Sequence, residues 1–216
     1  MFIRCHRVVH GVIMRRVLMM MFMTIDGQAQ FPVYSGPPYT EPTAELMWKP
    51  RFSTIDTILL GRIAYSKWAA HWPQRKDDPT ASDWEKEFSR FADRATKIVF
   101  SRTLRKPLWG NTQIVRGTPA EELARIRSKD GGDIALGGGP RIAQAFLADD
   151  LVDEMLILVS PSIVGRGKPL FRTVDDPEYD EDRIPEGAPG RHDFVLREAR
   201  GLEDATVFLR YERPVK

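Results

Sequence analysis

The sequence predicts an α/β protein with a mainly parallel sheet, helices on both faces and an antiparallel hairpin at the C-terminal end. Three observations lead there. Short apolar runs alternate with helix-like segments along most of the chain, the pattern of strands joined by crossover helices. Several of those runs are apolar at consecutive positions rather than every second one, as strands covered on both sides are. The last two β-rich stretches, His192 to Ala199 and Ala205 to Tyr211, alternate in polarity and face each other across Gly201.

Arg16 to Thr24 reads as a central strand, broken by Asp26-Gly27. Gln28 to Glu41 is rich in Pro, Gly and Tyr and reads as a loop, with Pro32, Tyr34 and Tyr39 equipping it to cover a ligand. Thr43 to Phe52 predicts a short helix with Leu46, Met47 and Trp48 inward. Thr57 to Leu60 is a second buried strand, closed by Gly61. Ile63 to His71 follows as a helix with Tyr65 and Trp68 on one side, and Pro73 and Pro79 make 73–82 a loop. Ser82 and Glu85 form a capping box for a helix through Asp93 that buries Trp84, Phe88 and Phe91. Lys97 to Phe100 and Thr112 to Val115 are strands three and four. Thr118-Pro119 opens a helix, since proline suits a first turn. Asp133 to Leu136 is strand five, and the helix after the following glycines ends near Asp150. Met155 to Ser160 is strand six. Arg172 to Asp193, acidic and rich in Pro and Gly, reads as a solvated excursion.

With 216 residues, 42% of them hydrophobic and 29% charged, the chain has the composition of an ordinary globular protein. A net charge of +2, with its Lys and Arg dispersed, argues against a nucleic-acid partner. The single cysteine, Cys5, allows no intrachain disulfide, which fits a cytoplasmic setting. The run Met19 to Met23 after Arg15-Arg16 is too short to span a bilayer, so no membrane partner is expected. Residues 1–13 read as an extension, disordered or a mis-assigned start with Met14 as the first residue. Residues 14–216 then form a single domain. No His, Cys and carboxylate cluster has metal-ligand spacing, and no Gly-x-Ser-x-Gly elbow is present.

Three junctions carry chemistry. In Asp133 to Arg141 a buried strand runs into Gly137, Gly138 and Gly139 and then, at Pro140, into a helix. Such a junction gathers bare backbone N–H groups and the positive end of a helix dipole at one spot, which suits a phosphate. Leu60, Gly61 and Arg62 form a second strand-to-helix junction, where a cation in the first turn opposes the dipole unless an anion lies between them. Ser101 and Arg102 follow strand three; a hydroxyl beside a guanidinium suits a phosphate monoester such as the 2′-phosphate of NADP. In a parallel sheet all three fall at carboxyl ends of strands, where ligands bind. Together they read as a dinucleotide site, although no G-x-G-x-x-G follows the first strand. Asp26 is the best-placed carboxylate for a catalytic acid; its other reading is the first residue of an Asp-Gly turn.

Asp26-Gly27, Leu60-Gly61-Arg62 with Tyr65 and Trp68, Ser101-Arg102, Gly137-Gly138-Gly139, Leu151-Val152-Asp153-Glu154 and Pro161-x-x-x-Gly165-x-Gly167-x-Pro169-Leu170-Phe171 occur in this order. The whole resembles the dihydrofolate reductase-like family, in particular the C-terminal reductase domain of the bacterial riboflavin-biosynthesis deaminase-reductase, over roughly residues 15–212. The resemblance implies a three-layer reductase fold that binds NADPH, commonly as a homodimer. It implies that Gly61 and Arg62 meet the phosphates, Ser101 and Arg102 the adenosine side, and Gly137 to Gly139 the pyrophosphate and nicotinamide end. The chain shows no clear cation cluster for a substrate's ribosyl phosphate. The expected activity is therefore NADPH-dependent reduction of a small heterocyclic or carbonyl substrate such as a pterin or pyrimidine. The alternative is a non-catalytic NADP(H)-binding dimer serving as sensor or scaffold.

Overall fold

The computed structural model describes residues 8–9, 12–30, 41–171 and 192–214. Its main sheet has eight strands: β1 Val17–Thr24, β2 Ile55–Gly61, β3 Thr96–Phe100, β4 Thr112–Val115, β5 Asp133–Leu136, β6 Glu154–Ser160, β7 Val195–Gly201 and β8 Val207–Glu212. Their spatial order is β7-β8-β6-β1-β5-β2-β3-β4. Every pairing from β6 to β4 is parallel, and β8 joins β6 and β7 antiparallel.

The helices are α1 Glu41–Trp48, α2 Arg62–Arg75, α3 Asp83–Arg94, α4 Pro119–Arg127 and α5 Pro140–Ala148. The side-chain period of two along a strand sorts the apolar runs into two cores. From β1, Leu18 and Met20 pack with Met47, Trp48, Tyr65, Phe88 and Phe91 of α1, α2 and α3. Val17, Met19 and Met21 pack on the opposite face with Leu123, Ile126, Ile142 and Phe146 of α4 and α5. The consecutive apolar residues of β1 are thus explained: both faces are covered. Each fully buried Leu, Met or Phe contributes roughly 1.5–3 kcal/mol.

Several boundaries differ from the sequence reading. Helix α2 runs through Pro73 to Arg75 rather than ending at His71. Proline removes one backbone donor, and so near a helix's last turn the loss is small. Gln28–Gln30, within the expected loop, forms a short strand that pairs antiparallel with Lys168–Pro169. The hairpin turns at 202–206, where the Leu202 N–H donates to the Thr206 carbonyl at 2.8 Å; Gly201 itself ends β7. Of the stretch 1–13, Val8–Val9 and Val12–Ile13 form a small antiparallel pair. Residues 31–40, with Pro32, Tyr34 and Tyr39, lie outside the described residues, as does most of the acidic excursion, 172–191.

Candidate functional site

The carboxyl ends of β2, β3 and β5 border one cleft of about 540 Å³. Gly61, Arg62, Ser101, Arg102, Gly138, Gly139 and Pro140 all line it, so folding brings together three junctions far apart in sequence. Two expected members sit elsewhere. Leu60 is fully buried and belongs to the core on the α2 face. Gly137 lines a neighbouring cleft, against Trp48.

The helix ends at this cleft differ from the others in the fold. Helices α3 and α4 open with complete capping boxes, Ser82 with Glu85 and Thr118 with Glu121. Helices α2 and α5 open on Gly61 and Gly139, with no side-chain cap and no acid in the first turn. The first N–H groups of a helix need partners, and here they are left to a ligand or solvent. Gly139 has φ +95° and open space where a Cβ would stand, a conformation L side chains rarely adopt. At Gly138 a Cβ would come within 2.9 Å of Leu60 Cδ2, so glycine is what lets β5 and β2 run side by side into the cleft.

Five cations line the same cleft, Arg62, Lys67, Arg102, Arg141 and Lys168, and no carboxylate does among the described residues. None of the five is tied up in an ion pair with a described residue. Arg141 follows from the logic that found Arg62, a cation in the first turn after a glycine. Lys168 carries no local signal; its pairing with Gln30 brings it in. Ser101 plays a more structural part than its hydroxyl suggests. Its Oγ accepts N–H bonds from Thr103 (3.2 Å) and Leu104 (2.9 Å), leaving its own O–H free to donate. Arg116 braces the same turn by donating to the Ser101 carbonyl and, at 2.7 Å, to that of Leu104. The turn presents Arg102 between the central cleft and an outer one of about 330 Å³, which Arg116, Thr118 and Pro119 also border.

On the other side lies a cleft of about 230 Å³ walled by Trp48, Trp68, Trp72, Trp84 and Phe88. It shares Ala29, Ala64, Gly138 and Gly139 with the central cleft. Outer, central and aromatic chambers therefore form one continuous trough. None of the described walls of the aromatic chamber carries a titratable group.

Asp26 lines none of the three clefts. Its carboxylate accepts from the Thr24 hydroxyl at 2.5 Å and from the backbone N–H groups of Val164 (3.3 Å) and Gly165 (2.8 Å). These bonds, the Thr24 hydroxyl first, hold its pKa below the ordinary carboxylate value. A proton donor needs the opposite shift. Asp26 pins the 161–167 loop to the end of β1, in line with its other reading as the first residue of an Asp-Gly turn. Among the described residues no cluster has the makings of a metal site, and no helix is long and apolar enough to cross a membrane.

The sheet order and the trough at its carboxyl edge define a dihydrofolate reductase-like fold. The sequence matches the family described as RibD C-terminal domain over residues 15–185, and the chain belongs to that family. Two uncharacterised proteins of Bacillus subtilis (strain 168) are similar. YyaP is 34% identical over 117 residues, covering 54% of this chain and 60% of YyaP. YwjB is 38% identical over 120 residues, covering 56% of this chain and 60% of YwjB. The match thus spans 60% of the length of each of these relatives. Among solved structures, a pyrimidine reductase-like protein from Corynebacterium diphtheriae aligns with a TM-score of 0.59 at 16% identity, over 94% of this chain and 93% of that one. RibD of Acinetobacter baumannii gives 0.63 at 15%, over 94% and 59%. Dihydrofolate reductase from Enterococcus faecalis, complexed with NADP(H), gives 0.55 at 14%, over 92% and 96%. At such identities the likeness is one of fold.

Proposed function

We propose that this chain is an NADPH-dependent oxidoreductase that reduces a small organic acceptor. The observation that carries the reading is the central cleft: two uncapped helix N-termini and five cations that pair with no described residue, with no carboxylate among the described walls. That donor set fits a polyanion of several phosphates. Gly61 and Arg62 would hold the phosphates, Ser101 and Arg102 the adenosine-side phosphate, and Gly138, Gly139 and Pro140 the pyrophosphate towards the nicotinamide. The nicotinamide, when bound, supplies the hydride. The chain's own part is to fix the cofactor's position, keep water from the reacting face with its aromatic wall, and hold an acceptor beside the glycine junction.

The test is titration with NADPH and NADH, followed by protein fluorescence. Saturable NADPH binding is expected. Arg102→Ala should weaken NADPH by about 1.5–3 kcal/mol, the range for a charged hydrogen bond, and NADH far less. Equal weakening of both removes the 2′-phosphate role from Arg102. No saturation with either cofactor overturns the proposal.

The lack of an acid among the described walls of the aromatic chamber favours one other reading, a dimer that binds NADP(H) without turnover. Absorbance at 340 nm distinguishes the two. Steady NADPH loss with any of a panel of pterins, pyrimidines and quinones excludes a purely binding role.

A further inference from the structure

The aromatic chamber raises a chemical problem. Hydride reduction of an isolated C=O or C=N group leaves a strong base, and enzymes ordinarily place an acid beside it. Here Trp48, Trp68, Trp72, Trp84, Phe88 and the Met20 to Phe22 segment of β1 form the walls, with alanines and the three glycines. None of these side chains titrates, and Asp26 is held ionised outside the trough.

Recognition is just as restricted. A phosphorylated ribosyl chain needs cations, and all five cations line the central cleft while none lines the chamber. A pteridine or pyrimidine ring presents a row of polar edges, and polar groups buried without partners cost on the order of 1–3 kcal/mol each. What the walls do offer is aromatic surface. Trp68 meets Trp48, Phe88 and Trp72 edge to face, with centroids 5.9, 5.4 and 6.5 Å apart. This interlocked set opens onto the glycine junction shared with the central cleft.

Building on the cofactor reading above, we infer that the aromatic chamber holds a flat, uncharged, conjugated dicarbonyl acceptor of the quinone class, rather than a phosphorylated pyrimidine or a pterin. Such an acceptor does not require a protein acid. It takes up the hydride, whose two electrons fill the conjugated system as the nicotinamide C–H bond breaks. The product is a hydroquinone monoanion, its charge delocalised over the ring, and it takes its remaining proton from water. The nicotinamide is left oxidised, so atoms and electrons balance. The N-terminus of α5, at Gly139, borders the chamber and favours a developing negative charge.

The experiment uses the full chain and menadione, 2-methyl-1,4-naphthoquinone, as probe. Protein fluorescence is titrated with menadione in the absence of cofactor, and separately with NADPH, uridine 5′-monophosphate, dihydrofolate and benzyltrimethylammonium. Saturable quenching by menadione is expected, with none by the other three acceptor mimics. Trp68→Leu and Trp72→Leu should each weaken menadione by about tenfold, as expected for a lost aromatic partner, and leave the NADPH dissociation constant within about twofold. NADPH oxidation by menadione should persist without a basic-limb pKa from any protein acid. The inference fails if uridine 5′-monophosphate, dihydrofolate or the quaternary ammonium saturates instead, or if menadione is indifferent to both substitutions. NADPH binding without menadione binding sinks this inference alone; loss of NADPH binding sinks the cofactor reading beneath it.

Discussion

Lys97 occupies an inward position of β3, between Thr96 and Ile98, and is fully buried. Its Nζ donates to the carbonyls of Ala92 (2.7 Å) and Asp93 (3.1 Å), at the C-terminal end of α3, and sits 4.3 Å from the Trp109 ring centroid. Burial pushes its pKa down from the ordinary 10.5 to about 8, against the pull of Asp93. Between those two values the unfolded chain keeps the proton and the native chain has shed it, so native stability rises with pH across that window. Denaturant melts of wild type and Lys97→Met should show a stability difference that climbs in favour of wild type from pH 8 to 10.5; a flat difference would contradict the assignment. Asp26 has the opposite sign. Its depressed pKa contributes stability that is present at neutral pH and lost only in acid. Asp26→Asn should therefore lower the melting temperature at pH 7, converge with wild type in acid, and leave the pH profile of NADPH oxidation unchanged. The residue scale is also where sequence reasoning was least informed. Lys97 read as the first residue of a strand, and Asp26 as a candidate acid or the first residue of an Asp-Gly turn, because their partners at Ala92, Val164 and Gly165 are set by tertiary approach rather than by spacing.

Helices α2 and α5 leave their first N–H groups uncapped at the central cleft, whereas α3 and α4 cap theirs with Ser82 and Thr118. Substituting Ser82 or Thr118 by Ala should cost about 1 kcal/mol of stability, read from urea melts, with cofactor affinity unaffected for Ser82→Ala. Gly139→Ala should cost about 1–3 kcal/mol through its left-handed backbone and should weaken NADPH as well, since the strained turn aims the first N–H groups of α5. Wild-type affinity in Gly139→Ala would detach the junction from the cofactor. These junctions were legible in the sequence because strand, glycine and helix adjoin within a few residues. The capping boxes were legible for the same reason. The continuation of α2 past Pro73 was not, since the packing of Trp72 against Phe88, centroids 4.4 Å apart, outweighs a local helix breaker.

Across the whole molecule, charge is divided between the two rims of the sheet. At the amino rim Glu154, 3% exposed, accepts from Arg16 at 3.1 Å and Arg210 at 2.8 Å, and Arg16 also donates to Asp133 at 2.9 Å. Cations there are paired; the five that line the central cleft at the carboxyl rim pair with no described residue. Glu154→Ala removes the carboxylate shared by Arg16 and Arg210, which keep Asp133 and Glu212 as partners, and should cost about 1.5–3 kcal/mol, the range for hydrogen bonds to a charged group, while the protein binds NADPH normally. Fold class was readable from the alternation of strands and helices, and so was the convergence of three junctions on one edge. The aromatic chamber was not, because its walls come from β1, α1, α2 and α3 and each ring taken singly looks like core. The short pairing of Gln28–Gln30 with Lys168–Pro169 has a bearing on all of this. Ala29, in its middle, touches both the cationic trough and the aromatic room, so a guest on either side braces the same ribbon. With the ribbon braced once for both, the two guests should enter as a mutually reinforcing pair, and thermodynamic reciprocity makes the gain of each from the other one common factor.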